Sequence, residues 1–495
     1  MKLSINIPFA AACFLANVHA IELAPVFSDH LVLQQAMPVP IWGTGTAGEI
    51  VNVSFAGQQA TTKTDAQGKW MVKLTPLTAS AKPEILTAKA ASGETKIIDV
   101  LVGEVWIASG QSNMALPLAN SAGTPEAKAP NPLVRLLNVP LNPQAKPITT
   151  IKASWELSDS TTHGRFSAVA WFFANHLAET RKVPIGIINS SVGGTPARAW
   201  TPWDAMASDP RLKSETDRIV TEMKNYDAEE SNKKYQQALA KYKAQLAKPA
   251  ANGKKPVAPK PPAAPDSYQH SPSALYNGMI APLVPMAIQG AIWYQGEADR
   301  KSPDQYRILF PTMIQSWRKS FGHELPFLFV QIAPFQDMTP EIRNAQLFTW
   351  RTVPKTSMVV ITDYGDATNI HPKQKQPVGE RLGLAARAIA YGEKITYSGP
   401  VFDKLKVTGS NAILSFQHLG DGLMVKGDTL KGFEISSDHK TFVPAQAVIA
   451  GDTVVVTSET VKTPVAVRFG WTTVPDTNLF NKNNLPATPF HTDAK

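Results

Sequence analysis

The rhythm of hydrophobic and polar positions changes twice along the chain. Residues 21–100 carry short apolar runs, among them HLVLQQ, IVNVSFAG and KWMVKL, and these runs are separated by Gly, Pro, Asp and Ser. Short runs bounded by such turn residues are typical of antiparallel strands. We therefore predict an all-β, sandwich-like N-terminal domain over residues 21–100.

The pattern is different from residue 101 to 395. Strand-like runs such as VLVGEVWIAS, IGIINSS and AIQGAIWYQG alternate there with helical patterns such as SAVAWFFANHLAETR. This alternation predicts a parallel sheet covered by helices on both faces. Residues 396–495 return to β patterns and are predicted to form a C-terminal β domain. The predicted fold class is therefore α/β, flanked by β-sandwich-like segments.

Residues 209–267 interrupt the α/β pattern. Their first half is helical, their second half is rich in Pro, Ala and Lys, and the stretch 233–262 contains neither an acidic residue nor an arginine. Much of the net charge of the chain, which is +9 at pH 7, is concentrated here. Such a composition indicates a solvated helix and a stiff linker rather than a nucleic-acid-binding segment. We expect an insertion at the rim and no nucleic-acid partner.

The first twenty residues, 1–20, resemble a secretory signal. Lys2 precedes a short apolar run, and Val18 and Ala20 occupy the positions before a predicted cleavage site. We predict cleavage after Ala20 and an exported protein, periplasmic or extracellular. The single cysteine, Cys13, would leave with this segment, and a lipoprotein anchor at Cys13 is the alternative. No later apolar run reaches the ~18 residues of a membrane helix.

Polar motifs follow several of the strand-like runs in the α/β part. They are GQSN at 110–113, SSVGGT at 190–195, WYQGEAD at 293–299 and DYGDATNIHP at 363–372. In an open parallel sheet, ligands bind outside the carboxyl ends of the strands. We therefore expect these motifs to meet at one site.

Ser112 and His371 are the residues of these motifs that could carry a reaction. A serine becomes a nucleophile when a base takes its proton, but serine is also a favoured helix cap. Among the histidines of the α/β part, His371 directly follows a strand and an acidic loop and precedes a helix. It could be a general base or a structural histidine. Gly193-Gly194 and Gln295 could donate to an oxyanion, or serve only as a turn and as a partner of buried backbone.

Several long motifs resemble the sialate O-acetylesterase family, a branch of the SGNH hydrolases. They are GQSNM, IGIINSSVGGTPARAW, PSALYNGMIAPL, GAIWYQGEAD and NIHPKQKQPVGERL. The resemblance implies a flavodoxin-like esterase domain with β modules that removes acetyl groups from sugars without a metal or cofactor. By position it implies that Ser112 is the nucleophile and His371 the base. It also implies an oxyanion hole made by the backbone N–H groups of Ser112 and Gly194 and by the Gln295 side chain.

The chain departs from the family pattern beside His371. Many SGNH enzymes carry an aspartate three residues before this histidine, but Thr368 stands there and Asp366 lies five residues before it. Either Asp366 bends back to complete a triad, or a backbone carbonyl near Asn369 orients His371 in a serine–histidine dyad. The sequence leaves both open, with a preference for the dyad.

Further residues are assigned to the substrate-binding part of the site. Glu297 would hold the site together without transferring a proton. Arg198 could pair with a substrate carboxylate, such as that of sialic acid, or form a salt bridge within the protein. The aromatic side chains that could stack on a sugar are Trp293, Trp200, Trp203 and Tyr294.

The predicted function is that of an exported serine esterase that removes O-acetyl groups from carbohydrate, with O-acetylated sialic acid as the substrate. One alternative keeps the chemistry and changes the substrate to acetylated plant polysaccharide such as xylan or xyloglucan. The other alternative is a non-catalytic carbohydrate-binding protein in which Ser112 caps a helix. The expected partner is the acetylated carbohydrate, and the sequence predicts no oligomeric state.

Overall fold

The computed structural model describes residues 20–246 and 256–493. Residues 1–19 of the predicted signal segment, with Cys13, and residues 247–255 of the predicted insertion lie outside the described residues. None of the helices within these ranges combines the length and the apolarity that a membrane crossing requires.

The N-terminal region is all-β in the described part of the chain. Its strands are β1 Glu22–Leu23, β2 Val32–Gln34, β3 Val39–Thr44, β4 Ile50–Phe55, β5 Gln58–Lys63, β6 Lys69–Leu74, β7 Ser80–Ala90 and β8 Gly93–Gly110. β1, β3 and β6 form one antiparallel sheet, and β4 pairs antiparallel with β5 and β7. The first part of β8 pairs with β7 and β2. The predicted domain boundary at residue 100 therefore falls inside β8.

The second part of β8 is the central strand of a parallel sheet. The further strands of this sheet are β9 Val134–Asn138, β10 Trp155–Leu157, β11 Ile185–Ser191, β12 Gly290–Tyr294, β13 Phe327–Val330 and β14 Thr356–Val359. Their order is β10-β9-β11-β8-β12-β13-β14, and every pair is parallel except β10 with β9. The chain builds β9 and β11 on one side of β8 and then crosses to the other side. Such a switch point opens a crevice at the carboxyl ends of the strands.

Helices cover both faces of this sheet. They are α1 Ser112–Ala115, α2 Ala168–Arg181, α3 Trp203–Ser208, α4 Lys213–Lys224, α5 Ala228–Leu246, α6 Pro303–Phe321, α7 Pro340–Thr352 and α8 Gln376–Ile389. On one face, Trp106 of β8 packs with Phe173 of α2 in a layer that includes α8. On the other, Trp293 of β12 packs with Trp317 of α6. The predicted α/β fold with a parallel sheet is confirmed, and burial on both faces explains its continuous apolar strands.

The C-terminal region consists of antiparallel sheets. Its strands are β15 Val401–Thr408, β16 Asn411–Gln417, β17 Leu423–Val425, β18 Phe433–Ser436, β19 Val443–Pro444, β20 Gln446–Ala450, β21 Thr453–Thr457, β22 Ala466–Phe469, β23 Leu479–Asn481 and β24 Phe490–His491. The sheets β15-β16-β21-β20 and β19-β18-β22-β24 share a core that includes Phe402, Phe469 and Phe490. Arg343 of α7 joins this region to the α/β part, because its guanidinium donates to the carbonyls of Thr472 and Thr473.

Helices α4 and α5 belong to the predicted insertion at 209–267. α4 packs against α3 and buries Thr216 and Ile219. No described side chain of α5 is buried. Its half-buried residues recur at helical spacing on one face, and the rest of its surface is exposed, as its lysine-rich sequence indicates; they are Ser231, Tyr235, Leu239 and Tyr242.

Candidate active site

A tight turn at the end of β8 presents Ser112. Gly110 has φ +133°, and a Cβ at this position would lie 2.2 Å from the carbonyl oxygen of Tyr294, so only glycine fits. Gln111 then donates its backbone N–H to that carbonyl at 2.9 Å. Ser112 is the first residue of α1, and the N-cap position belongs to Gln111. The Ser112 hydroxyl is therefore not a helix cap, and it stands at the carboxyl end of the central strand.

His371 meets this hydroxyl from the loop after β14. Its Nε2 lies 2.8 Å from Oγ of Ser112. Burial, and secondly the positive charge of Lys375, lower the pKa of His371 below its ordinary value. The imidazole is therefore neutral near pH 7 and can accept a proton from the serine.

Asp366 does not contact His371. Its Oδ1 accepts bonds from the Thr368 backbone N–H at 2.8 Å, the Thr368 hydroxyl at 2.9 Å and the Asn369 backbone N–H at 3.0 Å. These bonds lower the pKa of Asp366 and satisfy its carboxylate within its own exposed turn. The geometry is that of a dyad, and the triad alternative with Asp366 is not what the structure shows. Asn369 acts on His371 through its side chain, whose Oδ1 accepts the His371 backbone N–H at 2.9 Å.

The backbone N–H groups of Ser112 and Gly194 are two of the predicted oxyanion donors. Gly193 lies against Ser112, since a Cβ on Gly193 would be 3.5 Å from the Ser112 Cβ. Gly194 has φ +74°, and a Cβ there would meet nothing within 4 Å, so this residue borders open space. Neither the Ser112 nor the Gly194 N–H has an acceptor among the described residues. Both N–H groups are therefore available to an incoming acceptor, as an oxyanion hole requires.

Gln295, the third predicted oxyanion donor, is engaged elsewhere. Its side chain is fully buried, and Nε2 donates to the Thr195 carbonyl at 3.1 Å and to Asp299 Oδ2 at 2.5 Å. Both amide hydrogens are used by these bonds, so the side chain does not offer a donor to an oxyanion in this structure. Asp299 also accepts the Ala197 backbone N–H at 2.9 Å. Gln295 and Asp299 thus hold the loop that carries Gly194.

A buried polar group lies directly behind Ser112 and His371. The Asn113 side chain donates from Nδ2 to Glu297 Oε1 at 2.6 Å and to the Ile370 carbonyl at 3.0 Å, and its Oδ1 accepts from Lys375 Nζ at 2.6 Å. Asn113 and Lys375 are 0 % exposed and Glu297 is 3 % exposed. Burial lowers the pKa of Lys375 to about 7, against the opposing effect of Glu297. Burial likewise raises the pKa of Glu297.

The expectation that Glu297 holds the site together agrees with these contacts, but Asn113, Lys375 and Asp299 were not predicted as site residues. Asn113 and Asp299 stand within the GQSN and WYQGEAD motifs. Lys375 immediately precedes α8, where the helix dipole disfavours a cation. That unfavourable placement is the signal that could have identified it.

The positions of Arg198 and of three predicted aromatic residues do not match the substrate-binding roles that were predicted for them. Arg198 Nε lies 3.4 Å from Glu215 Oε2 and donates to the His270 carbonyl at 3.2 Å, so Arg198 forms the salt bridge that was one of its two predicted alternatives. The prediction of sugar stacking is wrong for three of the aromatic residues, because their side chains are 0 % exposed within the core: Trp200, Trp293 and Tyr294. Trp203 is half-buried and lines a cavity of about 1220 Å³ whose lining includes neither Ser112 nor His371.

Within the described ranges, no group of three or more His, Cys, Asp or Glu side chains is placed to hold a metal ion. The polar groups around Ser112 bind one another and the backbone instead.

The chain is similar to carbohydrate esterases in both sequence and structure. A family model described as carbohydrate esterase, sialic acid-specific acetylesterase, matches residues 102–255 and 264–387. The sialate O-acetylesterases of Rattus norvegicus and Homo sapiens are each 31% identical to this chain, over 95% of it and over 94% and 92% of their own lengths. The crystal structure of a carbohydrate acetylesterase from Xanthomonas citri is also similar, with a TM-score of 0.81 and 36% identity over 96% of this chain and 100% of that one.

Proposed function

The chain belongs to the family of sialic acid-specific carbohydrate acetylesterases, and we propose that Ser112 and His371 perform its reaction as nucleophile and general base. The family establishes a carbohydrate esterase that removes O-acetyl groups. The observation that carries the residue assignment is the 2.8 Å contact between His371 Nε2 and Ser112 Oγ at the carboxyl end of the central strand.

The proposed reaction has two halves. His371 Nε2 takes the proton of Ser112 Oγ as this oxygen attacks the acetyl carbonyl carbon. The backbone N–H groups of Ser112 and Gly194 stabilise the oxyanion that forms. The tetrahedral intermediate collapses, the C–O bond to the sugar breaks, and the imidazolium protonates the departing sugar hydroxyl. A water molecule, deprotonated by His371, then attacks acetyl-Ser112 and releases acetate and the free serine.

O-acetylated sialic acid is the proposed substrate. The description of the matching family and the names of the rat and human relatives support this choice. Arg198 follows Gly194 closely in sequence and remains the proposed cation for a sialate carboxylate. A carboxylate bound there would compete with Glu215, which already lies 3.4 Å from Arg198 Nε.

We also propose that the protein is exported to the periplasm or the extracellular space, with cleavage after Ala20. This proposal rests on the pattern of residues 1–20, since Lys2 and the apolar run before Ala20 are typical of a signal segment. An anchor at Cys13 is its alternative.

The test measures acetate release by the wild type and by Ser112→Ala from O-acetylated sialic acid, acetylated xylan and acetylated xyloglucan. We expect release from the sialic acid ester, and a loss of about 10⁴-fold or more in the variant, because the nucleophile is missing. Ser208→Ala, at an exposed serine of α3, is the control and should retain full activity.

Near-normal activity of Ser112→Ala would overturn the assignment of the nucleophile. Release from hemicellulose alone would replace the proposed substrate. Labelling by a serine-reactive organophosphonate separates an esterase from a non-catalytic binding protein, because labelling at Ser112 requires an activated hydroxyl.

A further inference from the structure

The buried charges behind the dyad have no task in the reaction proposed above. Lys375 and Glu297 touch neither Ser112 Oγ nor the imidazole of His371 in any described hydrogen bond. Burying a lysine and a glutamate is costly, and a well-packed apolar pair is often as stable. Their placement at this position therefore calls for a functional reason.

Asn113 connects these charges to both members of the dyad. Its side-chain amide makes the three hydrogen bonds described above, to Glu297, to the Ile370 carbonyl and from Lys375. Asn113 directly follows Ser112, and Ile370 directly precedes His371. The amide thus ties the segment of the nucleophile to the segment of the base, and a charged group at each end fixes its orientation.

We propose that Lys375, Asn113 and Glu297 form a charged clamp that positions His371 against Ser112, the task that an aspartate performs in a triad. This inference rests on the proposed function of Ser112 and His371. The three are positioning residues, because they act through the backbone of Ile370 and not on the substrate.

The backbone around His371 is held from two sides. The Ile370 carbonyl accepts from Asn113 at 3.0 Å, and the His371 N–H donates to the Asn369 side chain at 2.9 Å. In a triad the aspartate holds the imidazole through Nδ1. No described residue bonds Nδ1 of His371 here, so its orientation depends on the backbone that carries the ring.

Lys375 also acts on His371 through its charge. Its ammonium is the charged group that lowers the pKa of His371, in addition to burial, while Asp366 is turned into its own loop. Glu297 faces Lys375, and Asp299 acts in turn on Glu297. The reactive form of His371 is the neutral imidazole, so kcat/KM falls as the pH drops through the pKa of His371. Removing the Lys375 charge raises that pKa and moves this acid limb to higher pH.

The first test measures kcat, KM and the pH profile of kcat/KM for 4-nitrophenyl acetate with wild type, Lys375→Met and Lys373→Met. Methionine keeps an unbranched apolar stem and removes the charge and the bond to Asn113. For Lys375→Met we expect kcat to fall about 10- to 100-fold with little change in KM, because a misplaced base slows chemistry without weakening binding. The acid limb should shift upward. Lys373, exposed in the same loop, is the matched control and should change neither quantity.

A second variant pair separates positioning from folding. Glu297→Gln leaves Lys375 without its counter-charge, whereas Lys375→Met with Glu297→Gln removes both charged members of the clamp. The double variant should melt closer to the wild type than either single variant does. Its kcat should nevertheless stay low, because the orienting charges are gone.

A folded double variant with wild-type kcat and acid limb would overturn the clamp. So would Lys375→Met with kcat within about threefold of the wild type and an unshifted acid limb. If either result were obtained and Ser112→Ala were inactive, the clamp would be refuted and the proposed reaction of Ser112 and His371 would stand. An active Ser112→Ala would remove the proposed reaction itself.

Discussion

Replacing Asp366 by asparagine tests whether His371 works without an acidic partner. Asparagine keeps the size of the side chain and an oxygen that can accept the bonds from Thr368 and Asn369. It removes the negative charge that a triad would need. The variant therefore separates the two roles that the sequence left open for Asp366.

The expected loss follows from the position of the carboxylate. Asp366 is exposed, and its side-chain hydrogen bonds are confined to its own turn, so the exchange disturbs the loop of His371 only slightly. We expect kcat/KM to fall by less than about fivefold, as for an ordinary surface substitution. Where an aspartate orients the base of a triad, the same exchange lowers kcat about 10⁴-fold. The two expectations differ by more than three orders of magnitude.

The assay measures kcat/KM with O-acetylated sialic acid and with 4-nitrophenyl acetate near pH 8. Because the pKa of His371 lies below its ordinary value, the imidazole is fully neutral there, and a shift of the acid limb cannot disguise the result. His371→Ala is the reference for loss of the base. If folded Asp366→Asn lost more than about 10³-fold, the carboxylate would have to orient His371 in the working enzyme, and the dyad would be refuted.

Two further predictions concern the backbone donor and the C-terminal region. Gly194→Ala should lower kcat about tenfold, because a side chain at φ +74° costs roughly 1–2 kcal/mol and moves the N–H, whereas Gly451→Ala, at φ +61° in a C-terminal turn, should leave kcat unchanged. Equal kcat for both variants would contradict the expected displacement of the Gly194 N–H. Arg343→Met should lower the free energy of unfolding in urea by about 2–4 kcal/mol, because the carbonyls of Thr472 and Thr473 lose a buried charged donor. An unchanged unfolding midpoint would contradict that role.

The central sheet could be predicted because its strands carry continuous apolar runs. Several of those runs end in a polar motif, so the order of strands and motifs predicted that the segments of Ser112 and His371 meet at one edge of the sheet, while their roles were implied by the family resemblance. The continuous apolar run also explains why the prediction that Trp293 stacks on a sugar was wrong. In a strand buried on both faces, an aromatic residue near the end of the strand points into a layer of helices and not into the crevice.

The missing parts of the site depend on contacts between distant residues. Lys375 is 262 residues from Asn113, and Asn113 is 184 residues from Glu297. The placement of Lys375 before α8 is unusual for a cation, but it does not reveal which groups the lysine contacts. Its burial is decided only when the ends of β8, β12 and β14 come together.

The course of β8 links the N-terminal β region to the reaction. This strand begins at Gly93, where it pairs with β7, and it ends at Gly110, two residues before Ser112. Between these points it passes from one sheet into the other, with an irregularity at Asp99, whose φ is +54° and beside which the register against β7 shifts. Beyond Asp99, the pairing of Leu101, Val102 and Gly103 with β2 holds β8 as it enters the central sheet. The N-terminal region therefore contributes to the position of the nucleophile, although the polar groups that bind Ser112 and His371 lie entirely at the other end of the strand.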